Sequence, residues 1–151
     1  MTGIWVPPQR IRAVVIGIIR RDAEILAMEI NDHLKDQILG YRPPGGEIDF
    51  GEASEIALAR EMQEELGAEI EVGEVLTVVE NRYQLNGGSG HEFVIAREAR
   101  FLDQSIYSTD EFTIVEPADD GGEAFVNRTI WVPLSGTQIG PLLPLGLADV
   151  I

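Results

Sequence analysis

Apolar and polar positions along this chain follow a strand-like period nearly everywhere, and a helical one in a single stretch. Ile11 to Arg20 is apolar on both alternating sides, Ile11, Ala13, Val15 and Ile19 on one and Val14, Ile16 and Ile18 on the other, the pattern of a central strand covered on both faces. Glu24 to Ile30 reads as its hairpin partner. A polar loop over Asn31 to Gln37 then leads to Pro43-Pro44-Gly45-Gly46, where two prolines before two glycines predict an end to regular structure. Ala53 to Leu66 is the helix: Leu58, Met62 and Leu66 recur at four-residue spacing among strong helix formers, and Gly67 stands where a C-terminal stop belongs. Val75 to Leu85 and Glu92 to Phe101 predict two strands joined through the glycine-rich Asn86 to Gly90, and Thr129 to Val132 a last one. Asp103 to Gly122 is acidic and weakly patterned, which predicts a surface insertion with a short strand at Phe112 to Val115, while the tail from Gly140 to Ile151 has no assignable period. With no repeat or long linker, the 151 residues are expected to form one α/β domain in which helix and sheet share a core.

Charge narrows the function classes. The formal net charge is −15, with 26 acids against 11 bases, a surplus that repels phosphate backbones and anionic lipid and so argues against a nucleic-acid polymer or a membrane as partner. Small nucleotides remain open if a cation mediates. There is no cysteine, which removes disulfides, thiolate metal sites and a cysteine nucleophile. No basic leader and no apolar run approaching the roughly 20 residues of a membrane span is present, and the expectation is a cytoplasmic protein, a monomer or homodimer. Only Lys35 is lysine among the 11 bases, so a phosphate clamp here would be built from guanidinium forks.

The chemistry concentrates between Gly46 and Ala68, which hold seven acids (Glu47, Asp49, Glu52, Glu55, Glu61, Glu64, Glu65) and one base, Arg60. On a helix Glu61, Glu64 and Glu65 are related by three and four residues, so their carboxylates are expected to converge on one face. Like charges at that spacing, and acids in the last turn, each cost a few tenths of a kcal/mol, on the order of 0.2–0.5 per pair. A solvated Glu-rich face is the plain explanation. A hard divalent cation is the sharper one, since Mg²⁺ is held by a few carboxylates, water and substrate phosphates.

Spacing decides between them. From Gly46 there are five residues, Glu52, seven residues, and then Arg60-Glu61-Met62-Gln63-Glu64-Glu65-Leu66-Gly67-Ala68. This resembles the Nudix box at every fixed position, departing only in Ala68, where a bulkier aliphatic is usual. More loosely, Val79-Glu80-Asn81, Gly90-His91-Glu92 and the terminal Leu143-Pro144 with Gly146-Leu147 resemble a group of small bacterial Nudix proteins. The resemblance implies the Nudix α/β/α sandwich, with a mixed β-sheet and a loop-helix-loop. It implies a hydrolase that cuts a pyrophosphate bond in a nucleoside diphosphate linked to another group, with Mg²⁺ or Mn²⁺ as cofactor. Carried over, Glu61, Glu64 and Glu65 are metal ligands with the Gly46 carbonyl. Arg60 orients a box glutamate, Glu64 first, and Glu52 supports the site from the helix start. The general base is left open between Glu64 and Glu92.

Substrate is less defined. Arg12, Arg42 and Arg82 are candidates for the outer phosphates because bidentate guanidinium contacts suit phosphate. Tyr83 lies near where some dinucleoside polyphosphate hydrolases carry a tyrosine, which leans the expectation toward dinucleoside polyphosphates or nucleoside triphosphates, oxidised ones included. The rival class is a non-catalytic Nudix-like nucleotide sensor, against which the intact glutamate set argues. His33 and His91 lack a second metal-spaced partner and are expected in ordinary polar roles.

Overall fold

A computed structural model describes residues 3–116, 121–134 and 140–151. Its strands, in chain order, are β1 (Ile11–Arg21), β2 (Glu24–Asp32), β3 (Gln37–Arg42) and β4 (Gly45–Glu47); after helix α1 (Ser54–Leu66) come β5 (Ile70–Leu85), β6 (Gly88–Phe101), β7 (Glu111–Glu116) and β8 (Phe125–Pro133). The sheet runs β5-β6-β1-β2-β8-β7, with β3 added on β2 and β4 on β1. It is mixed, because β1 pairs in parallel with β6 and the other neighbours are antiparallel.

The two faces read from β1 are observed from Val14 to Ile19, whereas Ile11 and Ala13, expected on a covered face, are exposed where the strand begins. Val14, Ile16 and Ile18 join Ile25, Ala27, Val94 and Ala96 in one cluster, closed by Leu142 and Leu147 of the tail. Val15 and Ile19 lie on the other side with Leu26, Phe101 and Trp131, beneath Ala57, Leu58 and Met62 of α1. The result is an α/β sandwich in which the layer opposite α1 is the tail, with one short 3₁₀ turn at Leu147–Asp149. The helix ends on Gly67, whose left-handed backbone (φ 62°) turns its N–H back to Gln63 O. Among the described residues no helix is long and apolar enough to cross a membrane.

Several boundaries differ from expectation, each for a tertiary reason. Glu24–Ile30 is the hairpin partner of β1 only at its start: Arg20 faces Ile25 and Arg21 faces Glu24. Beyond those pairs the two strands part, β2 going to β8 and β3. Regular structure does not stop at the prolines, because Gly45–Glu47 enters the opening as β4 and pairs with Val14–Ile16. The segment from Gln37 to Arg42 is a strand on β2, past a bulge at Ile30/Asn31, and not just an exit from a loop. Asn86 and Gly87, at φ 52° and 82°, make a tight turn matched to strand twist, so β6 begins at Gly88. Much of Asp103–Gly122 belongs to the fold, as a 3₁₀ turn at Gln104–Ser108 and edge strand β7, paired with β8 along its whole length; residues 117–120 of it lie outside the described residues.

Leu58 tests the helix-to-sheet contact. It is fully buried, and its methyls stand 3.3 and 3.4 Å from where a Cβ on Gly17 would be. Leu58→Ala should lower the unfolding free energy by about 2–5 kcal/mol, read as a shift in urea midpoint at constant slope.

Candidate functional site

The parting of β1 and β2 opens a cleft between the two halves of the sheet, with a cavity of about 900 Å³. Glu61, Glu64 and Glu65 of α1, Gly46 and Glu47 of β4, and Glu116 of β7 lie on its walls, as do Arg12, Arg42, Arg82 and Tyr83. One end is thus carboxylate and the other guanidinium.

At the carboxylate end, Glu61 and Glu65 share a helix face. Glu61 lies flat against β4: a Cβ on Gly46 would sit 2.5 Å from both of its carboxylate oxygens. Only glycine allows that approach, which also keeps the neighbouring backbone beside the acid. Glu65 stands beside Glu61 and Glu116. Burial pushes the Glu65 carboxyl up to about 11, with the hydrogen bond and charge of Glu116 and the charge of Glu61 adding to it. Burial also raises Glu61, against the pull of Arg60. Glu61 and Glu65, both held toward their neutral forms, with Glu116 beside them, are oxygen donors short of positive charge, which is the donor chemistry a divalent metal fits.

Glu64 stands at the edge of the cluster, where its charge adds to the rise at Glu61 and Arg60 Nη1 contacts both acids. Three residues from Glu61 and one from Glu65, it is rotated about 100° from Glu65 around the helix, and its side chain is 59 % exposed on the rim. The third acid of the cluster is Glu116, a residue the sequence reading passed over because it closes a strand inside a segment taken for an insertion. Its position opposite Phe125 at the end of the β7–β8 ladder is what brings it to α1. Among the described residues no three of these groups already close on one point as a metal cage.

Arg60 ties the loop to the helix. Its Nε and Nη2 each lie 2.8 Å from a Glu52 oxygen, Nη1 donates to Glu61 at 3.0 Å, and Nη2 also donates to the Glu47 carbonyl at 3.1 Å. Glu64 is farther, at 3.4 Å, so the glutamates Arg60 chiefly holds are Glu52 and Glu61 and not Glu64. These bonds, with the Asp49 N–H, hold the Glu52 carboxyl down to about 2 and push the guanidinium up. Glu52 precedes the helix by one residue beyond Ala53, its N-cap, and acts as a latch between loop and helix.

At the other end Glu92 differs from expectation. A general base needs an open side to take a proton, whereas Glu92 is 1 % exposed and each of its oxygens is occupied. Arg42 Nη1 lies at 2.8 Å and Asn81 Nδ2 at 3.1 Å from one, and Arg12 Nη1 at 3.3 Å from the other. Arg12 also donates to Glu47 at 3.3 Å, stands 5.2 Å over the Trp5 ring and has the Tyr83 hydroxyl beside it. Arg82 is exposed on the cavity rim. His91 pairs with Glu80 at 2.9 Å on the surface, and the His33 N–H is bonded to Asn86 Oδ1 at 2.7 Å; both are ordinary polar roles.

Comparison with known proteins agrees with this fold. A family model described as NUDIX domain matches residues 8–143. Among solved structures, the ORF135 protein of E. coli is similar at 24 % identity over 93 % of this chain and 84 % of that one, with a TM-score of 0.57. A MutT NUDIX hydrolase from Burkholderia pseudomallei is similar at 25 % identity over 89 % and 91 %, also with a TM-score of 0.57. An ADP-ribose pyrophosphatase from Streptococcus suis shares the fold at 17 % identity over 92 % and 85 %, with a TM-score of 0.55. No curated protein matches the chain.

The Glu52 latch carries a pH prediction. Its carboxyl is held near 2 in the folded chain against an ordinary value near ~4.3 when unfolded, so its contribution is complete above that value and is lost as pH falls toward 2. Glu52→Gln should flatten the acid limb of stability between about pH 4.5 and pH 2, measured as thermal midpoint against pH. An unchanged acid limb would remove the latch.

Proposed function

We propose, for a chain that belongs to the Nudix family and is a pyrophosphohydrolase, that it hydrolyses a pyrophosphate bond in a nucleoside diphosphate derivative with Mg²⁺ or Mn²⁺ as cofactor. The observation that carries the reading is one cavity with two unlike ends: a half-buried carboxylate cluster of Glu61, Glu65 and Glu116, and an arginine-lined wall. Glu61, Glu64 and Glu65, the Gly46 carbonyl and, beyond the family pattern read from the sequence, Glu116 are the groups that would hold the metal. When bound, such an ion neutralises phosphate charge and lowers the pKa of water.

The chain's own residues supply the rest. Arg60 fixes Glu61 on the side of β4 and, through Glu52, locks the loop that follows β4 and its Gly46. Glu64 is the box glutamate open to solvent and is assigned as the base that takes the proton of the attacking water. Arg12, Arg42 and Arg82 hold substrate phosphate through N–H groups that Glu47 and Glu92 do not engage, and Tyr83 lies beside Arg12. The substrate is a small nucleotide with a second anionic group, the class that includes nucleoside triphosphates and dinucleoside polyphosphates.

A panel of nucleoside triphosphates, oxidised guanine nucleotides, dinucleoside polyphosphates, ADP-ribose and nucleotide sugars with Mg²⁺ and Mn²⁺ tests this. At least one should release a nucleoside monophosphate. Glu61→Gln and Glu65→Gln should each lower kcat/KM about 100-fold or more while the chain stays folded, the scale expected for losing a metal's charge stabilisation, roughly 3 kcal/mol. Saturable nucleotide binding without turnover at any metal concentration would instead make the chain a sensor. Separately, Mn²⁺ should raise the melting temperature beyond a matched ionic-strength control, and Gly46→Ala, which displaces Glu61, should abolish that rise.

A further inference from the structure

The buried Glu92 has no role in the chemistry just described, yet it sits at the centre of the arginine wall. It belongs to β6, where it is opposite Arg12 of β1 and Asn81 of β5. Arg42 arrives from the other half of the split sheet, at the end of β3, and makes the shortest of the Glu92 contacts. Glu92 is therefore the point at which the guanidinium wall is fastened across the cleft. It does not itself line the cavity, while Arg12 and Arg42 do.

We infer that Glu92 is a positioning residue, which holds Arg12 and Arg42 as a preformed clamp for the diphosphate of the substrate, the two arginines touching the anion and Glu92 acting only through them. The clamp rests on the reading of this cavity as a pyrophosphate site. Its electrostatics follow from local charge: Arg10, Arg12 and Arg42 are paired with Glu47 and Glu92, three cations with two anions. Of these, Arg12 and Arg42 line the cavity and Arg10 does not, so the two cations of the clamp are balanced by Glu47 and Glu92 and kept in place in a chain whose net charge is −15. Arg12 and Arg42 are only 14 % and 18 % exposed, so without Glu92 they would be two like charges, sparingly hydrated, no longer tied to each other across the cleft, with Arg12 held by Glu47 and Trp5. An arginine donates through several N–H groups in a fixed fork, so one edge can be anchored on Glu92 and another presented to an oxyanion.

Two further features look built for the same end. Tyr83 has its hydroxyl beside Arg12, and its ring lies over Gly90, directly opposite on β6. A Cβ at Gly90 would be 2.7 Å from the Tyr83 ring edge at Cε2 and nearer still to Cζ. The glycine thus lets the ring lie flat and directs its hydroxyl inward.

Binding of imidodiphosphate, a non-hydrolysable diphosphate, by calorimetry with and without Mg²⁺ tests the clamp, beside titration with Mn²⁺ alone. Glu92→Gln and Arg42→Gln should each weaken imidodiphosphate about tenfold or more and leave Mn²⁺ affinity within about twofold. In an Arg12→Gln/Arg42→Gln background, Glu92→Gln should add less than about twofold, because a residue that acts through its partners has nothing left to act on. On an accepted substrate the same change should raise KM and leave kcat within about threefold. Wild-type affinity for imidodiphosphate in both single variants, a full further loss in the doubly substituted background, or a fall in kcat at constant KM would each overturn the inference. If Glu92→Gln does not fold, Arg42→Gln decides, since it removes the same tie from the cavity side. Failure of the wild type to bind Mn²⁺ would count against the metal reading, and the imidodiphosphate result without Mg²⁺ would still judge the clamp.

Discussion

Everything at the site depends on a separation: β1 and β2 leave their hairpin paired only from Arg20–Arg21 to Glu24–Ile25 and then diverge. A continuous sheet would have presented a filled surface there. Divergence instead leaves backbone groups of both strands in need of partners, and those must be found because unpaired buried amides are costly. β1 takes β4 and β2 takes β3. The residues that serve the cavity are carried in on those replacement strands: Gly46 and Glu47 on one, Arg42 on the other.

Two ion-pair centres stabilise the cleft thus opened. Arg60 collects Glu52, Glu61 and the Glu47 carbonyl, a cation among anions on the acidic side. Glu92 collects Arg12 and Arg42, an anion among cations on the basic side. Each is partly or wholly out of water, where a removed partner leaves a desolvated charge and costs more than the pair contributes. The arrangement therefore favours geometry over stability, keeping side chains of opposite function at opposite ends of one cavity. Glu61 and Glu65, with Glu116 beside them, are the exception: among the described residues the ion pair on this cluster is that of Arg60 with Glu61, and burial raises the Glu61 and Glu65 carboxyls. That unresolved demand for positive charge is the physical mark of the metal-binding reading.

Much of this was legible from residues alone where the information is local or periodic. Both faces of β1, the extent of α1 and its stop at Gly67 follow from side-chain period and from the backbone freedom of one residue. The spacing from Gly46 through Glu52 to Glu65 identified the family and pointed to the acids that line the cavity. Less legible were elements whose reason for existing lies elsewhere in the chain: β4 exists because β1 needs a partner, and β7 because β8 does. The leucines of the tail have no period because Leu142 and Leu147 are buried by the sheet face they land on, not by a repeating element of their own.

The sequence by itself determined the central strand, the helix, the family and the box of acids, because each is written in neighbouring residues at fixed spacing. Only the tertiary structure decided what each acid faces. It turned Glu64 to the rim, drew Glu116 from a distant strand into the cluster, and buried Glu92 beneath two arginines, one of which comes from across the cleft. Residues far apart in the chain meet only where strands pair, and that pairing was settled when β1 and β2 parted.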